Sequence, residues 1–146
     1  MDGTPHLVVG AVLSRRLHPL LAVAVGMASH AVLDAIPHYN YTGWRPFSPI
    51  MLVDALVGTA LVLAVALTAS RPWSVLAGAA GAIFPEVERV LSGARFDLLH
   101  RLPLSLPNSD IGLPWGLLTQ IGVTLLALGV AMRPLVRRGS AGARGG

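Results

Sequence analysis

Twenty consecutive residues, Ile50 to Ala69, contain one ionisable side chain, Asp54, and are otherwise apolar apart from two threonines and a glycine. As a helix such a run reaches about 30 Å, the thickness of a bilayer's hydrocarbon layer. The chain is 53% hydrophobic and only 12% charged, against about 25% charge in ordinary soluble domains, and its mean hydropathy is +0.65. The expectation is an all-α integral membrane protein with about four transmembrane helices. Besides Ile50 to Ala69, the expected spans are Leu17 to Ile36, opened by Pro19 and closed by Pro37, a third beginning at Trp73, and Ile111 to Met132. Leu7 to Leu13 is too short to cross, so it is read as an interfacial or re-entrant helix. Residues 1–132 then form one membrane-embedded domain, and residues 133–146 a basic, Gly-rich, disordered tail.

The net charge of +4 comes from eleven arginines and no lysine. They are scattered beside apolar segments rather than gathered into a groove, which excludes nucleic acid as a natural partner and suits a topological role. Four spans place Arg15, Arg16, Arg71, Arg133, Arg137 and Arg138 on one side, with Arg45, Arg89, Arg95 and Arg101 on the other. The positive-inside rule makes the first side cytoplasmic, with both termini there. A cell membrane crossed several times is the expected location. The opening residues lack the basic cluster of a signal peptide, so the N-terminus is expected to be retained. There is no cysteine, hence no disulfide or thiolate chemistry.

Within the first span lies SHAVLDAIPHY, Ser29 to Tyr39. His30 and Asp34 are four residues apart and share a helix face, and His38 follows the helix-ending Pro37. The segment Phe84 to Val90, FPEVERV, brings Glu86 and Glu88. If the helix continues past Pro85, the two carboxylates point about 200° apart and only one faces a common site, whereas if Pro85 opens the segment into an extended stretch both fall on one side. Under the four-span topology His30, Asp34, His38, Asp54, Glu86, Glu88, Asp97, His100 and Asp110 all collect toward the outer face. His30, Asp34, His38, Glu86, Glu88 and His100 are therefore candidate ligands for a divalent cation, whether zinc, manganese or magnesium. His6 is either a further ligand or an interfacial residue. Glu86 and Asp54 are candidate catalytic carboxylates, and Arg101 can hold phosphate oxygens in a bidentate fork. The same groups can alternatively do no more than satisfy one another and the backbone.

SHAVLDAIPHY, FPEVERV and the His100 region together resemble a family of small prokaryotic inner-membrane proteins classed as metal-dependent hydrolases, which includes a LexA-regulated member. The resemblance implies a helical membrane fold with His30, Asp34 and His38 in one motif and Glu86 and Glu88 in the other. This chain has glutamates where that pattern usually has aspartates, and Arg89 where a histidine often follows. The expected function is metal-activated hydrolysis of a phosphate or related ester of a membrane lipid. The alternatives are an ion or small-solute transporter and a noncatalytic, metal-stabilised membrane scaffold. Gly78 to Ala82 offers a slim face through which a homodimer could form.

Overall fold

The computed structural model describes residues 3–39, 48–91 and 111–142, with side chains up to residue 133. These residues form five α-helices: α1 (Gly3–Ser14), α2 (Pro19–Ala35), α3 (Pro49–Thr68), α4 (Pro72–Leu91) and α5 (Trp115–Gly142). Proline opens α2, α3 and α4, where its missing N–H has no intrahelical partner to lose. His18 Nδ1 accepts from Leu20 N–H at 3.4 Å, and Ser48 Oγ accepts from Met51 N–H at 3.5 Å, so α2 and α3 carry side-chain caps. At the other end of α2, Ile36 turns extended (φ −77°, ψ 131°) because Pro37 follows it.

Two helices are long and apolar enough to cross a membrane, Pro49–Thr68 and Trp115–Arg133. The helix α2, at 17 residues, is shorter, and α4 carries Glu86, Glu88 and Arg89 in its last two turns. Past Arg133, where the sequence suggests a tail, the backbone of α5 stays helical to Gly142.

The expectation of a surface-lying N-terminal helix is replaced by a different arrangement. α1 packs against all four other helices, and Val8 and Ala11 are fully buried. At 1.5 Å per residue it is only about 18 Å long. Because GTPHLVVGAVLS is apolar on every side, it finds its best environment inside the bundle rather than across an interface.

α1 runs antiparallel to α2 and α4, and the three make the tightest part of the molecule. A Cβ on Gly26 would lie 2.2 Å from the Gly78 carbonyl oxygen, and one on Gly78 would lie 2.1 Å from Ser14 Oγ and 2.5 Å from the Gly10 carbonyl oxygen. The slim face of α4 is thus filled from within the chain and is not open for a second copy. Hydroxyls tie the same layer, with Ser14 Oγ donating to Ala22 O at 3.2 Å and Ser74 Oγ to Leu17 O at 2.6 Å. The core is built of small side chains, Val, Ala, Gly and Ser, while leucines such as Leu20, Leu67 and Leu126 point outward.

One end of the bundle collects the start of α1, the end of α2, the starts of α3 and α5, and the end of α4. There Thr4 meets Asp54, and Ile111 N–H donates to His38 O at 2.8 Å. At the opposite end Arg15 Nη1 donates to the Val130 carbonyl at 3.0 Å. Gly3 and Val130 therefore lie at opposite ends of α1.

Candidate metal centre

The glycine contacts set the register of the site. From Gly10, Gly26 and Gly78, about one turn toward the polar end brings His6 of α1 and His30 of α2, and about two turns bring Asp34 of α2 and Glu86 of α4, into one cluster. One ligand-capable atom from each of these four lies within 4.8 Å of all the others. His6, His30 and Asp34 are buried and Glu86 is half-buried. Such a set of two imidazoles and two carboxylates, contributed by three helices, can hold a divalent cation.

Asp34 is the centre of the geometry. Its Oδ1 lies 3.2 Å from His6 Nε2 and its Oδ2 lies 3.1 Å from His30 Nε2. The imidazole rings stack with centroids 4.0 Å apart and planes 22° from parallel, so both Nε2 atoms address the same carboxylate. His30 Nδ1 is 2.8 Å from the Ala82 carbonyl oxygen. A carbonyl can only accept, so Nδ1 carries the proton of that bond.

This assignment constrains the other nitrogen. In a neutral imidazole with its proton on Nδ1, Nε2 presents a lone pair, and the ionised Asp34 carboxylate also presents only lone pairs. With Asp34 ionised, two acceptors would lie about 3 Å apart, so a proton on His30, the acid proton of Asp34 or a metal ion must lie between them. An imidazole whose Nδ1–H is held by a backbone carbonyl is the usual outer support of a metal-ligating histidine, since it fixes both tautomer and ring direction.

The continuous helix through Pro85 decides between the two glutamates. The helix α4 runs unbroken to Leu91, so Glu86 joins the cluster while Glu88 is not among its four residues. Pro85 has no N–H to offer the carbonyl four residues earlier, at Gly81, and the next carbonyl, Ala82 O, is the one that takes His30.

His38 is fully buried beside this level without being one of the four. Its Nδ1 lies 2.6 Å from Ile36 O, and its own carbonyl receives Ile111 N–H, so it fastens the end of α2 to the approach to α5. Asp54 sits on the other side of α1. Its carboxylate accepts from the Thr4 backbone N–H at 3.1 Å, and Thr4 Oγ1 donates to the Asp54 carbonyl at 2.8 Å. Asp54 thereby caps α1 from a neighbouring helix, where its charge also complements the positive end of the helix dipole. His100 and Arg101, like Asp97 and Asp110, lie outside the described residues.

The residue that sequence reasoning left open is His6. It lies 24 positions from His30 in a separate helix, and no local spacing connects the two. The available signal was an apolar helix without a polar face, which marks its histidine as enclosed.

Comparison with protein-family profiles, with curated proteins and with solved structures returned no match. What the site can do therefore follows from its own geometry.

Proposed function

We propose that the protein is a multi-pass membrane hydrolase that uses a divalent cation to cleave a phosphate or related ester of a membrane lipid. The observation that carries this reading is the position of Asp34 between two imidazoles, one of them with its Nδ1–H on a backbone carbonyl. That arrangement orients His30 as a ligand, and a bound cation relieves the meeting of two lone-pair donors in a buried site. The resemblance of SHAVLDAIPHY and FPEVERV to metal-dependent membrane hydrolases supports the same reading.

When bound, the cation supplies an acidified water and positive charge for phosphate oxygens. The residues of this chain have distinct parts in the proposal. His6, His30 and Asp34, locked by burial and by one another, hold the cation. Glu86 is the most solvent-accessible of the four and is the group placed to accept a proton from the attacking water. Asp54 keeps the first turn of α1, and hence His6, at the level of the cluster.

In this proposal α2 and α4 cross the membrane beside α3 and α5, which makes four spans around a half-length central helix. The outward leucines then face lipid, where an exposed apolar belt of this extent is at home. The arginines at the far end, Arg15, Arg71 and Arg133, face the cytoplasm. The metal centre then faces the outer leaflet. Because Gly3 and Val130 lie at opposite ends of α1, the start of α1 shares the outer side with the site, and only the C-terminal end is cytoplasmic. The proposal differs here from the sequence expectation of two cytoplasmic termini.

The test is release of phosphate from phosphatidic acid in mixed vesicles by the purified protein. Activity is expected to vanish with a chelator, to return with one of zinc, manganese or magnesium, and to be absent in Asp34→Asn that retains wild-type helicity. Hydrolysis indifferent to both the chelator and the substitution would remove the metal from the mechanism. A chelator that dissociates or unfolds the protein, with no hydrolysis of any lipid ester before treatment, would instead favour a metal-stabilised scaffold.

A further inference from the structure

The helix α5 is held to the bundle through little apolar surface. It packs chiefly on α1, and its buried residues, Gly116, Gln120, Thr124 and Ala127, form one narrow stripe on a single face. Gly122 and Gly129 have nothing within 4 Å of an added Cβ. Between helices in lipid, close packing and hydrogen bonds take the place of the hydrophobic effect, so the polar ties of α5 decide where it sits. At the polar end Ile111 N–H donates to the His38 carbonyl at 2.8 Å, and Gln120 Nε2 to the Tyr39 carbonyl at 2.6 Å. At the far end Arg15 Nη1 donates to the Val130 carbonyl at 3.0 Å.

That last acceptor is a particular one. In an α-helix the carbonyl of each residue accepts from the N–H four residues later. The helix α5 runs unbroken through Pro134, its only proline, which stands four residues after Val130 and has no N–H to give. Pro134 therefore deprives one interior carbonyl of α5 of its intrahelical donor, and that carbonyl is the one Arg15 reaches. Unsatisfied, it would be costly at the depth of a membrane.

We propose that Arg15 is a positioning residue: its guanidinium stands in for the amide that Pro134 lacks, and so pins α5 in place to brace the end of α2. Arg15 directly follows α1, the helix of His6, while His38 and Tyr39 follow α2, the helix of His30 and Asp34. Gln120 and Val130 are about 15 Å apart along α5. A stiff helix fastened at both points ties the two ligand-bearing helices together from opposite ends of the bundle. Arg15 thus has a task besides marking the cytoplasmic side.

The test is a double-mutant cycle on the full-length protein in detergent, read by thermal unfolding and by hydrogen exchange of the Ile111 amide. Arg15→Met keeps an apolar stem and removes the donor. It is expected to lower the unfolding midpoint in the wild-type background and to lower it by less than half as much in Pro134→Ala, where the helix supplies its own N–H to Val130. Exchange at Ile111 is expected to quicken several-fold in Arg15→Met and to stay near the wild-type rate in Arg15→Lys, whose ammonium donates to the same carbonyl. A bond with only local effect would leave that distant amide unmoved. Equal losses from Arg15→Met in the two backgrounds would overturn the replacement of amide by guanidinium, and unchanged exchange at Ile111 would rule out the brace. If Arg15→Met does not fold, recovery by Pro134→Ala is the expected result and continued failure the contrary one. Neither readout involves a metal or a lipid ester, so the outcome is separate from that of the hydrolase reading.

Discussion

Asp34 and Asp54 are both carboxylates on apolar helices, and their neighbours give them different work. Asp34 faces two imidazoles and a glutamate, whereas Asp54 faces the backbone N–H of Thr4. Replacing Asp34 by Asn is expected to lower metal affinity by more than the ~10–100-fold that loss of an outer support costs. Asp54→Ala is expected to keep the metal and to lower stability by about 1 kcal/mol, the usual cost of a lost helix cap. Isothermal titration with zinc and denaturant unfolding in detergent, run on both variants, read the two effects separately. His38→Ala belongs with Asp54, since its ring is bonded to the backbone of Ile36; it is expected to retain the metal. Of these roles, the pairing of His30 with Asp34 was legible from four-residue spacing alone. The choice of Glu86 over Glu88 was legible only as a condition on helix continuity, and His6 only as one of two open readings, because the contact that recruits it is between helices.

The helices come close enough to build this site because small residues line their contacts. A methyl group at Gly78 would meet Ser14 Oγ at 2.1 Å and at Gly26 the Gly78 carbonyl at 2.2 Å, whereas Gly122 and Gly129 of α5 have nothing within 4 Å of an added Cβ. Gly26→Ala is therefore expected to cost about 1–3 kcal/mol through overpacking and to weaken metal binding, since α2 and α4 must part just where His30 reaches Ala82 O. Gly122→Ala and Gly129→Ala are expected to leave both unaltered, which thermal unfolding with and without zinc will show. The slim surface of α4 was visible in the sequence, but its partner was not: composition marks a close approach without saying which helix makes it. Likewise the shortness of α1 suggested a surface position, and its lack of any polar face was the better guide to its place in the centre.

For the whole molecule, the arrangement of five helices around one polar end makes the proposed orientation in a membrane testable. The chain contains no cysteine, so single cysteines can be introduced without removing others. Leu113→Cys, exposed at the polar end, is expected to react with a membrane-impermeant maleimide on intact cells, and Ser70→Cys, at the opposite end, only after permeabilisation. The reverse pattern would turn the metal centre toward the cytoplasm. The apolar spans α3 and α5 were readable directly from hydropathy. Among the described residues, His30, Asp34, His38, Asp54 and Glu86 gather at one end of the bundle, as the sequence led one to expect.

The most direct measurement is the metal content of the detergent-purified protein, by elemental analysis, for the wild type, Asp34→Asn and Glu86→Gln. The proposed function predicts a stoichiometric divalent ion in the wild type, lost in Asp34→Asn and reduced in Glu86→Gln while helicity persists. A wild-type protein that retains no zinc, manganese or magnesium even after reconstitution would contradict it, leaving Asp34 and the two histidines as a hydrogen-bonded polar cluster that only holds helices together.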